Sequence, residues 1–163
     1  MFVVGNLSMV LANQQRENEA LQPMVDGKYG SAAEIMALAP AQLVEILEDS
    51  DATLFAKSRA CLRLAVVGGK DEVPALAILL EDSQLSHYAR FALEAIPDQA
   101  VDEALREALG KVEGKLLAGV INSIGRRKDV DALPLLGKFL HSEDAEVSQS
   151  AAEAMRRIRP AFY

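Results

Sequence analysis

Residues 43–51 read LVEILEDSD, residues 76–84 LAILLEDSQ, residues 105–113 LREALGKVE and residues 136–144 LGKFLHSED. Laid over one another, these stretches begin at Leu43, Leu76, Leu105 and Leu136, in steps of 33, 29 and 31 residues. Each apolar stretch leads into a polar turn, a second apolar-periodic stretch and another turn. Self-similarity at a period of roughly 20–50 residues marks a stacked repeat architecture, in which one supersecondary unit recurs along the chain.

The second stretch of each unit carries a helical stripe. In the last unit Val147, Ala151, Ala154, Met155 and Ile158 fall on one face at helical spacing. Aligned on that final isoleucine, the second unit places Leu85, Ala89, Ala92, Leu93 and Ile96 on the same face. The third places Leu117, Val120, Ile121 and Ile124 there. A two-helix unit cannot bury such a stripe alone, whereas units stacked in series bury one continuous core. The spacing predicts paired A and B helices at about 40–48 with 53–67, after Asp71 to Leu80 with 85–95, after Asp98 to Leu109 with 115–126, and after Asp129 with 145–158. Asp71, Asp98 and Asp129 are expected as N-caps. Pro134, some residues into the last A helix, is expected to kink it. Ser31 and Glu34 form a capping-box pair that starts a short helix. Residues 13–30 read as a polar linker with one helical turn at most, so residues 1–30 form an N-terminal extension and 31–163 the repeat array.

The segment DVDALPLLGKFLHSEDAEVSQSAAEAMRRI (residues 129–158) resembles a HEAT-like repeat. The resemblance rests on a proline in the A helix, the acidic turn Glu143-Asp144, then Val147 and the small-residue run Ser150-Ala151-Ala152. The bacterial HEAT-like repeats, also found in phycobilin lyases, are the most similar in flavour, and the likeness covers about residues 40–158. It implies an all-α, right-handed α/α superhelix, a solenoid of about four helical hairpins, with B helices lining the concave side.

Composition bounds the function. The 163 residues are 50% hydrophobic and 25% charged, so the chain can bury a sizeable core. Aromatics are 5% and there is no Trp, which leaves packing to Ala and Leu. A net charge of −7 argues against a nucleic-acid binder, which needs cations to neutralise phosphate. The single cysteine, Cys61, excludes an internal disulfide framework and sits in an apolar run, as an inert buried thiol does. No apolar stretch reaches the length of a membrane span. Phe2 to Ala12 is short, apolar and lacks a preceding cation. It reads either as a capping helix or as the remnant of a signal segment, which leaves cytoplasmic and periplasmic or secreted locations open.

Catalytic patterns are missing. His87 and His141 lie in different units and in no metal-ligand spacing. The HEAT-repeat iron enzyme deoxyhypusine hydroxylase uses His-Glu pairs, whereas His87 is followed by Tyr88 and His141 by Ser142. Gly110 to Leu116 has too few residues between its glycines for a phosphate loop and lacks the Ser/Thr that would hold magnesium. The HEAT-like DNA glycosylases lean on aromatic side chains and a basic groove, which an acidic chain without Trp does not offer. The expectation is therefore a non-catalytic scaffold or adaptor, with no cofactor and no metal, binding an unidentified protein partner on its concave B-helix face. Residues opposite the core stripes are Arg59, Arg63, His87, Phe91, Glu94, Lys115, Asn122, Gln149 and Arg156. Phe91 either seeds a binding hot spot or packs between helices. Basic residues after the B helices (Arg126, Arg127, Lys128) and acids at the A–B turns are expected to complement helix dipoles and to form ladders between repeats. Two alternatives stay open. One is an accessory subunit of a phycobilin-lyase-like enzyme with a small-molecule pocket. The other is a HEAT module of a larger protein, self-associating through a last repeat whose Met155 and Ile158 lack a polar cap.

Overall fold

Side-chain caps and prolines set the helix starts. Thr53 Oγ1 accepts from the Ala56 amide, Asp98 from Ala100, and Asp144 from Glu146 and Val147, while Pro40, Pro74 and Pro134 stand in first turns. The computed structural model describes residues 25–159. Among them are a two-residue antiparallel pair, β1 (Val25–Asp26) and β2 (Gly30–Ser31), and nine α-helices. These are α1 (Ala32–Met36), α2 (Pro40–Glu48), α3 (Leu54–Val67), α4 (Val73–Ile78), α5 (Ser86–Ala95), α6 (Gln99–Ala108), α7 (Gly114–Arg127), α8 (Leu133–Gly137) and α9 (Ala145–Ile158). The protein is mostly helical, as its periodicity implies.

The helices pack in two ways. Each of α2, α4, α6 and α8 lies against the helix that follows it, and α3, α5, α7 and α9 touch one another in series. Between the two sets sit fully buried side chains, among them Leu43, Ile46, Leu64, Leu76, Leu93 and Ile121. Each such side chain contributes roughly 1.5–3 kcal/mol relative to exposure. Cys61 belongs to this core, and burial pushes its thiol up to about 12. Small residues set how closely neighbours approach. A Cβ built on Gly125 of α7 would lie 2.8 Å from Ala154 of α9, so those helices meet almost backbone to backbone.

Several local expectations change. Residues 25–31 are not a linker but a hairpin, organised by the buried carboxylate of Asp26. Its Oδ1 accepts from the Lys28 and Tyr29 amides, and its Oδ2 from the amide and hydroxyl of Thr53 at 3.2 and 2.6 Å. These contacts hold the carboxyl at about 2, below its usual range. Asp71 does not cap α4. Lys70–Glu72 is a 3-10 turn whose Glu72 carboxylate accepts from the Gly69 amide, and α4 begins after it. Pro134 kinks nothing, because Asp129 caps a 3-10 turn (Val130–Ala132) and the proline then falls in the first turn of α8. Of the two residues named at the end of the last helix, Met155 is half-buried and lines a cleft. Ile158 is 8% exposed and lies on the stripe that faces α7 and α8. The expected apolar segment Phe2–Ala12 and the Pro160–Tyr163 tail lie outside the described residues.

The join between the second and third hairpins rests on Arg127, at the end of α7. Its Nε donates to Asp102 Oδ1 at 2.6 Å and its Nη2 to Asp102 Oδ2 at 3.0 Å. The remaining N–H groups reach the carbonyls of Leu93, Ile96 and Asp98. Beside it Arg106 of α6 pairs with the buried Asp129 at 2.6 Å. Just past Arg127, Lys128 takes the left-handed conformation at φ 58°, and its amide reaches back to the Gly125 and Ile124 carbonyls to close α7.

Replacing Arg127 with alanine leaves Asp102 and three carbonyls without their donor. The expected loss is about 3–5 kcal/mol in urea unfolding, and Arg127→Lys recovers less than half of it. Asp26→Ala is expected to cost about 1–3 kcal/mol at neutral pH. Because Asp26 stands at about 2 in the fold against 3.8 ordinarily, its contribution is full above about 4 and is lost as pH falls through about 2. Unfolding measured down that range should therefore bring wild type and Asp26→Ala together.

Candidate partner-binding face

On the long helices the residues opposite the core form a second, solvent-facing stripe. On α7, where nearly every position from Leu117 to Gly125 is buried, Lys115 and Arg126 are left to solvent and Asn122 is half-buried. On α5 the matching positions are His87, Phe91 and Glu94. Phe91 is 54% exposed, so this aromatic ring is not consumed between helices. His87 is exposed and its ring stacks tilted against Tyr88, with centroids 3.8 Å apart. Val66, at the end of α3, is 72% exposed.

Not every expected residue is free to meet a partner. Asn122 donates to Ser150 Oγ across to α9 at 3.3 Å. Glu94 accepts from the Ser123 hydroxyl at 2.6 Å and from Arg126 at 3.0 Å. Both therefore join neighbouring long helices. The Arg126–Glu94 pair joins two long helices, with a carboxylate from within α5 rather than from one of the A–B turns where the acids were expected to pair. Lys115 and Gln149 are exposed, and Arg156 lies in solvent 3.8 Å from Glu153.

Arg59 and Arg63 stand one turn apart on α3, half-buried. The Arg59 guanidinium sits over the Phe55 ring at 5.4 Å, a cation–π contact. The Nε atoms of Arg59 and Arg63 are buried with no hydrogen-bond partner.

Sequence reasoning missed Arg90. Its guanidinium lies over Gly119 of α7 and donates to the Gly119 carbonyl at 3.2 Å, while its Nε is buried without a partner. Burial holds the Arg90 guanidinium below the usual arginine range. Glu94 opposes that shift and Arg126 reinforces it. The signal was present as Gly119, a helix-interior glycine that leaves room for a neighbour's side chain.

Clefts occur elsewhere. One of about 270 Å³ runs between α4 and α6, lined by Pro74, Ala77, Ile78, Ala104 and Glu107. Another lies beneath α8 and α9, against Pro134, Met155 and Arg159. Among the described residues no group of three or more His, Cys, Asp or Glu is arranged to hold a metal, and no helix is long and apolar enough to cross a membrane. Compared with known proteins, the chain matches no family model, and no curated protein is significantly similar to it.

Two glycines on α7 make a paired test of this packing. At Gly125 a methyl would meet the backbone of α9 at 2.8 Å, so Gly125→Ala should cost about 1–3 kcal/mol. At Gly119 the methyl meets only the Arg90 guanidinium, which can swing away, and alanine gains roughly 1 kcal/mol of helix propensity. Gly119→Ala should therefore melt at or above the wild-type temperature by circular dichroism, and Gly125→Ala below it.

Proposed function

We propose that this protein is a non-catalytic protein-interaction scaffold, built as a right-handed α/α superhelix of about four HEAT-like hairpins. Its partner lies across the solvent-facing side of α3, α5, α7 and α9. The superhelix is supported by the repeat spacing and by the serial contacts of the long helices. Phe91 carries the binding assignment. A phenylalanine left 54% exposed on the outer stripe of a packed helix stands outside the core cluster, and it is the kind of side chain that anchors protein interfaces. Arg126, 66% exposed at its side chain, and the exposed Lys115 and Arg156 add polar groups on α7 and α9, as the edge of an interface requires.

The experiment is capture of partners from source lysate by the tagged chain and by a Phe91→Ala/Arg156→Glu double variant with an unchanged melting temperature. A specific protein retained by the wild type and lost by the variant is the expected result. Equal recovery on both would move the binding face elsewhere on the molecule.

A further inference from the structure

Charge is sorted on four of the helices. α3 carries Lys57, Arg59 and Arg63, and α7 carries Lys115, Arg126 and Arg127, with no carboxylate on either. On the other side α2 carries Glu45 and Glu48 with no cation, and α6 carries Asp102, Glu103 and Glu107 against one arginine. α5 and α9 carry both signs, Arg90 with Glu94 and Glu146 and Glu153 with Arg156 and Arg157.

Internal structure uses only some of these cations. Arg127 is spent on Asp102 and backbone carbonyls, and Arg126 holds Glu94. Among the described residues Arg59, Arg63, Arg90 and Lys115 enter no ion pair. The buried Nε groups of Arg59, Arg63 and Arg90 lack even a hydrogen bond. Partly desolvated guanidiniums without a carboxylate are costly as they stand, and although their Nε atoms are buried, their terminal nitrogens can meet carboxylates from outside. Phe91 and Val66 lie exposed on the same long helices.

We propose that the outer face of α3, α5 and α7 docks an acidic segment of a partner protein, its carboxylates on Arg59, Arg63, Arg90 and Lys115 and an apolar side chain on Phe91. The proposal rests on the scaffold reading and names its partner's chemistry. A protein segment fits better than a nucleic acid, because apolar side chains interrupt the cations. The acids of α2 and α6 would also repel a long polyanion.

The test uses the full chain and fluorescence anisotropy with three labelled probes. They are a synthetic peptide alternating glutamate with leucine and phenylalanine, the same peptide with lysine for glutamate, and a single-stranded DNA oligomer. The glutamate peptide should bind more tightly than either of the others, and more weakly as salt rises. Arg59→Glu/Lys115→Glu should weaken it about tenfold or more. The matched pair Lys70→Glu/Lys138→Glu, away from this face, should leave it unchanged. Preference for the DNA, binding indifferent to the first pair, or no preference over the lysine peptide would each overturn the proposal. So would self-association in ultracentrifugation that the first pair abolishes, since the occupant would then be a second copy. Should the acidic probe fail while lysate capture still depends on Phe91, the scaffold survives and only the acidic chemistry falls.

Discussion

One guanidinium closes the centre of this fold. Arg127 directs all of its N–H groups inward, two to the Asp102 carboxylate and the rest to the carbonyls of Leu93, Ile96 and Asp98. Those carbonyls belong to the end of α5 and the turn that follows it, where the helix has run out of amide donors. Asp102 sits one turn into α6. A single side chain on α7 therefore fixes the end of one hairpin and the start of the next, and lysine, with a point charge and no fork, could not span the same acceptors. Arg106 and Asp129 repeat the device where α7 turns towards α8.

With that junction fixed, small residues decide the spacing of the long helices. Gly125 against Ala154, and Gly119 beneath Arg90, let α7 approach its neighbours on both sides. The same economy explains the composition. With aromatics at 5% of the chain and alanines across the helix contacts, the core is made of Leu and Ile between two sets of helices rather than of large rings. An aromatic side chain that stays outside, as Phe91 does, is then conspicuous, because the interior has no need of it.

Much of this was legible in the sequence because the core repeats. The stripes ending at Ile96, Ile124 and Ile158 are largely buried as their period requires, and Asp98 starts a helix where a cap is expected. What escaped were features set by contacts distant in sequence. Asp26 gives no local sign that it will accept from Thr53, and without that bond residues 25–31 read as linker. Asp71 carries the right side chain for a cap, but Glu72 reaches the Gly69 amide and a 3-10 turn comes first. On the binding face, a helical wheel found the outward positions, yet it could not separate Phe91, left in solvent, from Glu94 and Asn122, engaged by the neighbouring helix.

That separation follows from where each residue's partner sits. The arginines of this chain share one chemistry and divide by geometry. Arg127 is aimed at helix ends that lack donors and is satisfied within the chain, whereas Arg90 is laid flat on a glycine with its Nε unanswered. A fold that needed only to neutralise its own acids would have interleaved the two charges along each helix, since i to i+4 pairs are available on any exposed face. Here α3 and α7 have no acid at all and α2 has no base. Arg59 and Arg63 thus stand on a helix with no acid of its own, their Nε atoms buried and unanswered, and that is the ground on which an acidic partner is proposed.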